Sequence, residues 1–161
     1  TTQLCIRELK KYVAPGVKIL DVGTGSGILG ITALKMGAGY VMGTDLDENA
    51  ITAVGENMDS NEIDASSFEV IQGNIIDDKE VQDRVGYEEY DIVVANILAP
   101  VIMMLQKEVA VHLKKGGMFI TSGIINLKEK DVLDAFALND AFEIVEVNHQ
   151  GEWVNVTARK R

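Results

Sequence analysis

The sequence predicts an α/β fold, a three-layer sandwich whose mostly parallel seven-stranded sheet is closed by an antiparallel C-terminal hairpin. Three observations carry this. Short apolar, β-branched runs alternate with stretches of helical periodicity along most of the chain. The first such run ends in the glycine-rich turn Asp21-Val22-Gly23-Thr24-Gly25-Ser26-Gly27 and passes directly into a helical pattern. Near the terminus, Phe142–Val147 and Trp153–Ala158 both read as strands, with a link too short for a crossover, so they must be antiparallel.

The elements follow in order. A first helix runs from about Thr2 to Val13, with Cys5, Leu9, Tyr12 and Val13 on one side, and Pro15-Gly16 breaks it. Strand one is Val17–Val22, followed by an almost wholly apolar helix, Ile28–Met36, that Gly37 ends. Strand two, Tyr40–Thr44, leads to Asp45-Leu46-Asp47. Asp47 is placed to cap a helix whose Ile51, Val54 and Met58 fall at helical spacing. Strand three is Phe68–Gln72, then a short polar helix covers Lys79–Val85, and strand four is Asp91–Ala95. A longer helix is expected from Pro100, with Ile102, Leu105, Val109 and Leu113 inward and Lys114-Lys115-Gly116-Gly117 as its basic last turn and stop. Strand five is Met118–Ser122, and a last helix runs from Asn126 to about Leu138.

Composition narrows the class. At 161 residues the chain is expected to form one domain, with 47% hydrophobic and 25% charged residues, ordinary for a globular protein. No apolar stretch approaches a membrane span and no signal-peptide pattern is present. Cys5 is the only cysteine, so no internal disulfide can form, which suits a cytoplasmic location. A formal charge of −10 argues against a nucleic-acid-binding surface and is compatible with a basic protein partner, although solubility is the simpler explanation. No His/Cys cluster has metal-ligand spacing. His112 reads as solvent-facing beside lysines, His149 as part of the hairpin turn, and Trp153 as a core residue. The chain opens at Thr1 without a methionine, so it is expected to be a piece of something longer.

The glycine turn asks which ligand it serves. A strand–turn–helix junction usually cradles phosphate, because backbone N–H groups and the helix N-terminus attract anions. Asp21, two positions before the turn, would repel a pyrophosphate and suit a ligand bearing ammonium and sulfonium groups. S-adenosyl-L-methionine carries both cations and no phosphate. The competing match is Gly25-Ser26-Gly27-Ile28-Leu29-Gly30, which fits the dinucleotide fingerprint, with Asp45 twenty positions beyond Gly25 for a ribose hydroxyl. Register weighs against it. The apolar run ends at Val22, and a fingerprint starting at Gly23 would need glycine at position 28, where Ile28 stands.

Further segments supply a resemblance. Val94-Ala95-Asn96-Ile97-Leu98-Ala99 closes strand four, Thr121-Ser122-Gly123-Ile124 follows strand five, and Glu152-Trp153-Val154-Asn155 opens the terminal strand. Together with the glycine turn and the Thr1-Thr2 pair, they resemble the catalytic domain of the ribosomal protein L11 methyltransferase (PrmA) family over essentially the whole chain. The resemblance implies a class I, Rossmann-like, adenosylmethionine-dependent protein N-methyltransferase acting on lysine and N-terminal amines. It also implies an upstream substrate-recognition domain not found here. Position 100 is proline where many relatives have glycine.

The same resemblance implies roles for particular residues. Gly23, Gly25 and Gly27 would let the backbone approach the methionine half of the cofactor. Asp21 would hold its ammonium and Asp45 its ribose hydroxyls. Asn74 would lie at adenine, with a plain turn role as the alternative, and Thr2 would contact cofactor or simply cap its helix. Asn96 stands where many amine and amide methyltransferases carry N-P-P-[YF], and would contact cofactor and position the substrate nitrogen. Three further alternatives remain: a class I enzyme for a small molecule or another protein, an NAD-binding oxidoreductase domain, and a fold kept only as an interaction module.

Overall fold

The computed structural model describes residues 1–161. Helix α1 is Thr2–Tyr12, and strand β1, Lys18–Val22, is followed by helix α2, Ile28–Lys35. Then come β2 (Tyr40–Asp45), α3 (Asn49–Ser60), β3 (Phe68–Gln72) and α4 (Lys79–Val85). The chain continues through β4 (Tyr90–Asn96), α5 (Ala99–Leu105), β5 (Leu113–Ile125) and α6 (Glu129–Ala137) to the hairpin of β6 (Phe142–Gln150) and β7 (Trp153–Lys160).

The sheet has seven strands in the order β3-β2-β1-β4-β5-β7-β6. The first five are parallel, and β7 enters antiparallel between β5 and β6. A dinucleotide-binding sheet instead runs 3-2-1-4-5-6, with no inserted reversed strand. The pattern expected from the hairpin is therefore the one observed, and it is the class I methyltransferase arrangement.

Parallel strands covered on both faces should be apolar on both, and the central ones are. Ile19, Ile92 and Val94 face a core shared with Cys5, Leu9, Leu29 and Val54 of α1, α2 and α3. Their neighbours Leu20, Val93 and Ala95 face the opposite core, with Val81, Ile102 and Phe136 of α4, α5 and α6. In the second core Phe119, Phe136 and Phe142 pack with ring centroids 5.5–5.9 Å apart. The α2 face is tight: a Cβ on Gly30 would stand 2.5 Å from the Phe68 ring and 2.9 Å from Val41. Only glycine lets this helix lie so close to β2.

Helix α1 is tied to the far end of the sheet by a buried carboxylate. Glu8, 1% exposed, accepts from Lys11 Nζ at 2.8 Å, Asn148 Nδ2 at 3.1 Å and Thr157 Oγ1 at 3.0 Å. A buried charge is tolerable only when its oxygens are filled in this way. The network thus fixes α1 against the terminal hairpin.

Four expectations need correction. The helix opening near Pro100 stops at Leu105, and Val109–His112 form a short 3-10 turn instead. Lys114 and Lys115 accordingly belong to β5, where Lys114 Nζ reaches Asp91 Oδ1 at 3.2 Å. His112 is buried, not solvent-facing; its Nδ1 lies 2.6 Å from the Gly86 carbonyl and its ring stacks on Tyr87. His149 is in β6 rather than the turn, beside Glu129. Asp47 does cap α3, accepting from Asn49 N at 2.9 Å.

Candidate functional site

The strand order reverses between β1 and β4, and the carboxyl ends of the strands on either side open into a cleft, the customary ligand position in such sheets. The glycine turn leaves β1 there. Gly23, Gly25 and Gly27 have φ of 73°, 55° and 84°, left-handed values that side chains disfavour. Two hydrogen bonds pin the turn to the neighbouring strand, from Gly23 N at 2.8 Å and Thr24 N at 3.0 Å to the Thr44 carbonyl. A Cβ at Gly23 would stand 2.8 Å from Ile97 Cγ2, so this glycine preserves the space between the turn and the segment after β4.

Asp45 ends β2 beside that turn. Its Oδ2 accepts from Gly25 N at 2.8 Å and its Oδ1 from Asp47 N at 2.9 Å. Each oxygen keeps a second lone pair, so a pair of vicinal hydroxyls could still be received. Asn74 follows β3, where its Oδ1 accepts from Ile76 N at 3.0 Å; the turn role is real, and the side chain also lines the cleft. A cavity of about 460 Å³ joins Gly23, Asp45 and Asn74 to a mostly apolar wall of Leu46, Ile75 and Leu98.

Asp21 is placed differently. It is 1% exposed, beneath the turn rather than on the cavity wall, and it accepts from Thr24 Oγ1 at 2.8 Å. Burial pushes its carboxyl up to about 7, with the Asp45 charge adding to the rise and the Thr24 hydroxyl opposing it. Asp21 therefore does not line the cavity, and its carboxyl is held close to half-protonated at neutral pH.

A second cavity of about 400 Å³ adjoins the first, since Ile97 and Leu98 line both. Asn96, Gly123 and Trp153 complete it, with Thr1 at its edge. Asn96 Nδ2 donates to Thr2 Oγ1 at 3.4 Å, which brings the helix-opening threonine to the end of β4. Trp153, expected in the core, is only partly buried and faces this cavity. Sequence reasoning also missed Thr24 as the partner of Asp21, and the apolar wall. Leu46 left one signal, an apolar side chain between two acids, here 69% exposed.

The cleft fits the methyl-donor cofactor on three counts. Gly23 of its turn keeps clear the space beside Ile97 that a side chain would fill, its acid presents two oxygens, and its wall offers apolar surface to a base. No group of three or more His, Cys, Asp or Glu side chains is arranged to hold a metal ion.

The family model described as ribosomal protein L11 methyltransferase (PrmA) matches residues 1–161. The chain belongs to the PrmA family. Its relatives include the ribosomal protein L11 methyltransferase of Lachnospira eligens, 57% identical over 161 residues, which covers all of this chain and 51% of that protein. The corresponding protein of Agathobacter rectalis is 52% identical over 99% of this chain and 50% of its own length. Among solved structures, the ribosomal protein L11 methylase of Lactobacillus delbrueckii subsp. bulgaricus is 33% identical, with a TM-score of 0.87 over 100% of this chain and 79% of that one. The chain spans about half the length of the curated relatives it matches. The resemblance drawn from the N-I-L-A, S-G-I and E-W segments thus holds at family level.

Proposed function

We propose that residues 1–161 act as one S-adenosylmethionine-dependent protein N-methyltransferase domain, and that the acceptor is an amine of ribosomal protein L11. The observation that carries this is the pairing of two adjoining cavities, one bordered by the glycine turn and Asp45, the other by Asn96. Gly23, Gly25 and Gly27 are assigned to the methionine half of the cofactor, with Asp21 offsetting its ammonium charge. Asp45 is assigned to the ribose hydroxyls, and Asn74 with the Leu46 and Ile75 wall to adenine. Thr2 and Asn96 stand at the junction with the acceptor. The bound donor would supply a methyl group on a positively charged sulfur, which leaves as a neutral thioether when a nitrogen attacks.

Such a displacement needs no covalent enzyme intermediate and no strong acid. It needs an unprotonated amine in line with the C–S bond, and positioning of that kind can supply on the order of 7–11 kcal/mol at best. A lysine ammonium has a solution pKa of about 10.4, and a partly dehydrated cavity favours its neutral form. Asn96 Oδ1 and the Ile97 carbonyl can accept from the remaining N–H groups and hold the lone pair toward the donor. The displaced proton passes to water. The family's ribosomal role supports a cytoplasmic setting. A basic ribosomal protein would be drawn to a chain of formal charge −10.

The test is methyl transfer. Purified chain, methyl-tritiated adenosylmethionine and recombinant L11 should give labelled L11, with the label on amine nitrogens by mass spectrometry. A chain that binds the donor yet labels nothing in L11 contradicts the substrate assignment.

A further inference from the structure

The second cavity holds two residues, Gly123 and Trp153, to which the methyl-transfer reading gives no part. Asn96 Nδ2 is committed to Thr2 Oγ1, which turns Oδ1 away from α1. That oxygen and the Ile97 carbonyl converge beside Gly123: a Cβ there would stand 3.1 Å from Asn96 Oδ1 and 2.5 Å from Ile97 O. Gly123 has φ +86° and sits where the β5–β7 pairing shifts register between Thr121 and Ile124. The irregularity therefore opens a floor with two acceptor oxygens and no side chain. The same cavity is lined by the partly buried Trp153, at the register position facing Ile125. None of the residues lining this cavity is basic. Two acceptor oxygens and an indole on one cavity, with no lysine, arginine or histidine side chain in its lining, form an environment for an alkylammonium group.

We propose that Trp153 is a specificity-determining residue, its indole forming the wall against which the alkylammonium end of the acceptor amine lies, with Gly123 as the clearance that admits it. This rests on the methyltransferase reading for what the site does with the amine, but the binding chemistry stands separately. An aromatic face attracts ammonium carbon-bound hydrogens as well as N–H, so the wall holds the arm before and after a methyl group is added. The acceptor oxygens hold it only while N–H groups remain.

Trp153 is the only tryptophan, so its fluorescence reports the cavity directly. The probes are n-butylamine and n-butyltrimethylammonium, titrated into the full chain with and without saturating adenosylhomocysteine. Both should quench Trp153 emission saturably. By ligand-observed NMR, Trp153→Leu should weaken n-butyltrimethylammonium about tenfold and Trp153→Phe only a few-fold, a size typical of a desolvated cation on a ring. Adenosylhomocysteine affinity, measured calorimetrically, should stay within about twofold in both variants. Should Trp153→Leu fail to fold, Gly123→Ala provides the second probe, losing the amine and keeping the cofactor. Equal binding of n-butyltrimethylammonium to the unmodified chain and to Trp153→Leu overturns the proposal. Trp153-dependent amine binding by a chain that ignores adenosylhomocysteine would retain it and discard the methyl donor instead.

Discussion

Asp21 shows how far a single residue can be read. The sequence places a carboxylate beside a glycine turn and suggests direct contact with a cation; the structure buries it under Thr24. What remains is a carboxyl whose charge burial disfavours. Its folded value of about 7 lies above the ordinary 3.8, so the folded state binds the proton more tightly than the unfolded one. The associated stability is present below pH 3.8 and lost as pH rises from there through about 7. Asp21→Asn should therefore flatten the fall in melting temperature between pH 5 and pH 8 while weakening cofactor binding. Thermal melts of both proteins at the two pH values check this, and parallel pH dependences would contradict it. The exchange of stability for a poised charge is common at binding sites. Asp45 was more legible, because the end of a strand fixes where its carboxylate points.

At the scale of elements, the strands are legible except for β5, which runs Leu113–Ile125 against an expected Met118–Ser122. Two helices are less so: the stretch from Pro100, and the last helix, which opens at Glu129 after a 3-10 turn rather than at Asn126. Strand starts follow β-branched runs, and neither face of a buried strand needs polar residues. The stretch from Pro100 misled because Ile102, Leu105, Val109 and Leu113 keep helical spacing through a helix, a break and a 3-10 turn. Such turns bury residues at three- to four-residue intervals too. The break is set by long-range contacts invisible to periodicity: Gln106 is buried and its side-chain oxygen accepts from Asn139 Nδ2 at 2.7 Å. His112 was misplaced for the same reason, since its cover comes from the Gly86–Tyr87 turn. Helix α2 offers the element-level prediction. Gly30→Ala should destabilise the chain by roughly 1–3 kcal/mol through overpacking against Phe68 and Val41, despite the better helix propensity of alanine. Chemical denaturation measures this, and a variant as stable as the parent would show that α2 can retreat.

For the whole molecule, the topology decides more than any motif. The glycine turn fits two ligand classes, and Asp45 fits both. The reversed β7 between β5 and β6 fits one; the short terminal link announces the antiparallel pairing of β6 with β7, and the class I layout supplies the insertion beside β5. That same strand delivers Trp153 to the cleft, a placement that no local pattern announces because it depends on the register of β5 with β7. The parallel half of the sheet thus supplies the walls of the first cavity, and the antiparallel addition supplies part of the second. The formal charge of −10 belongs to this scale as well, as a field over the surface rather than a contact.

The most direct measurement is isothermal titration of the chain and of Asp45→Ala with adenosylhomocysteine, with NAD as the comparison ligand. The account predicts saturable binding of adenosylhomocysteine, a loss of about tenfold or more in the variant as hydrogen bonds to a charged group disappear, and no heat from NAD. Tighter binding of NAD, or an adenosylhomocysteine affinity indifferent to Asp45, would contradict it.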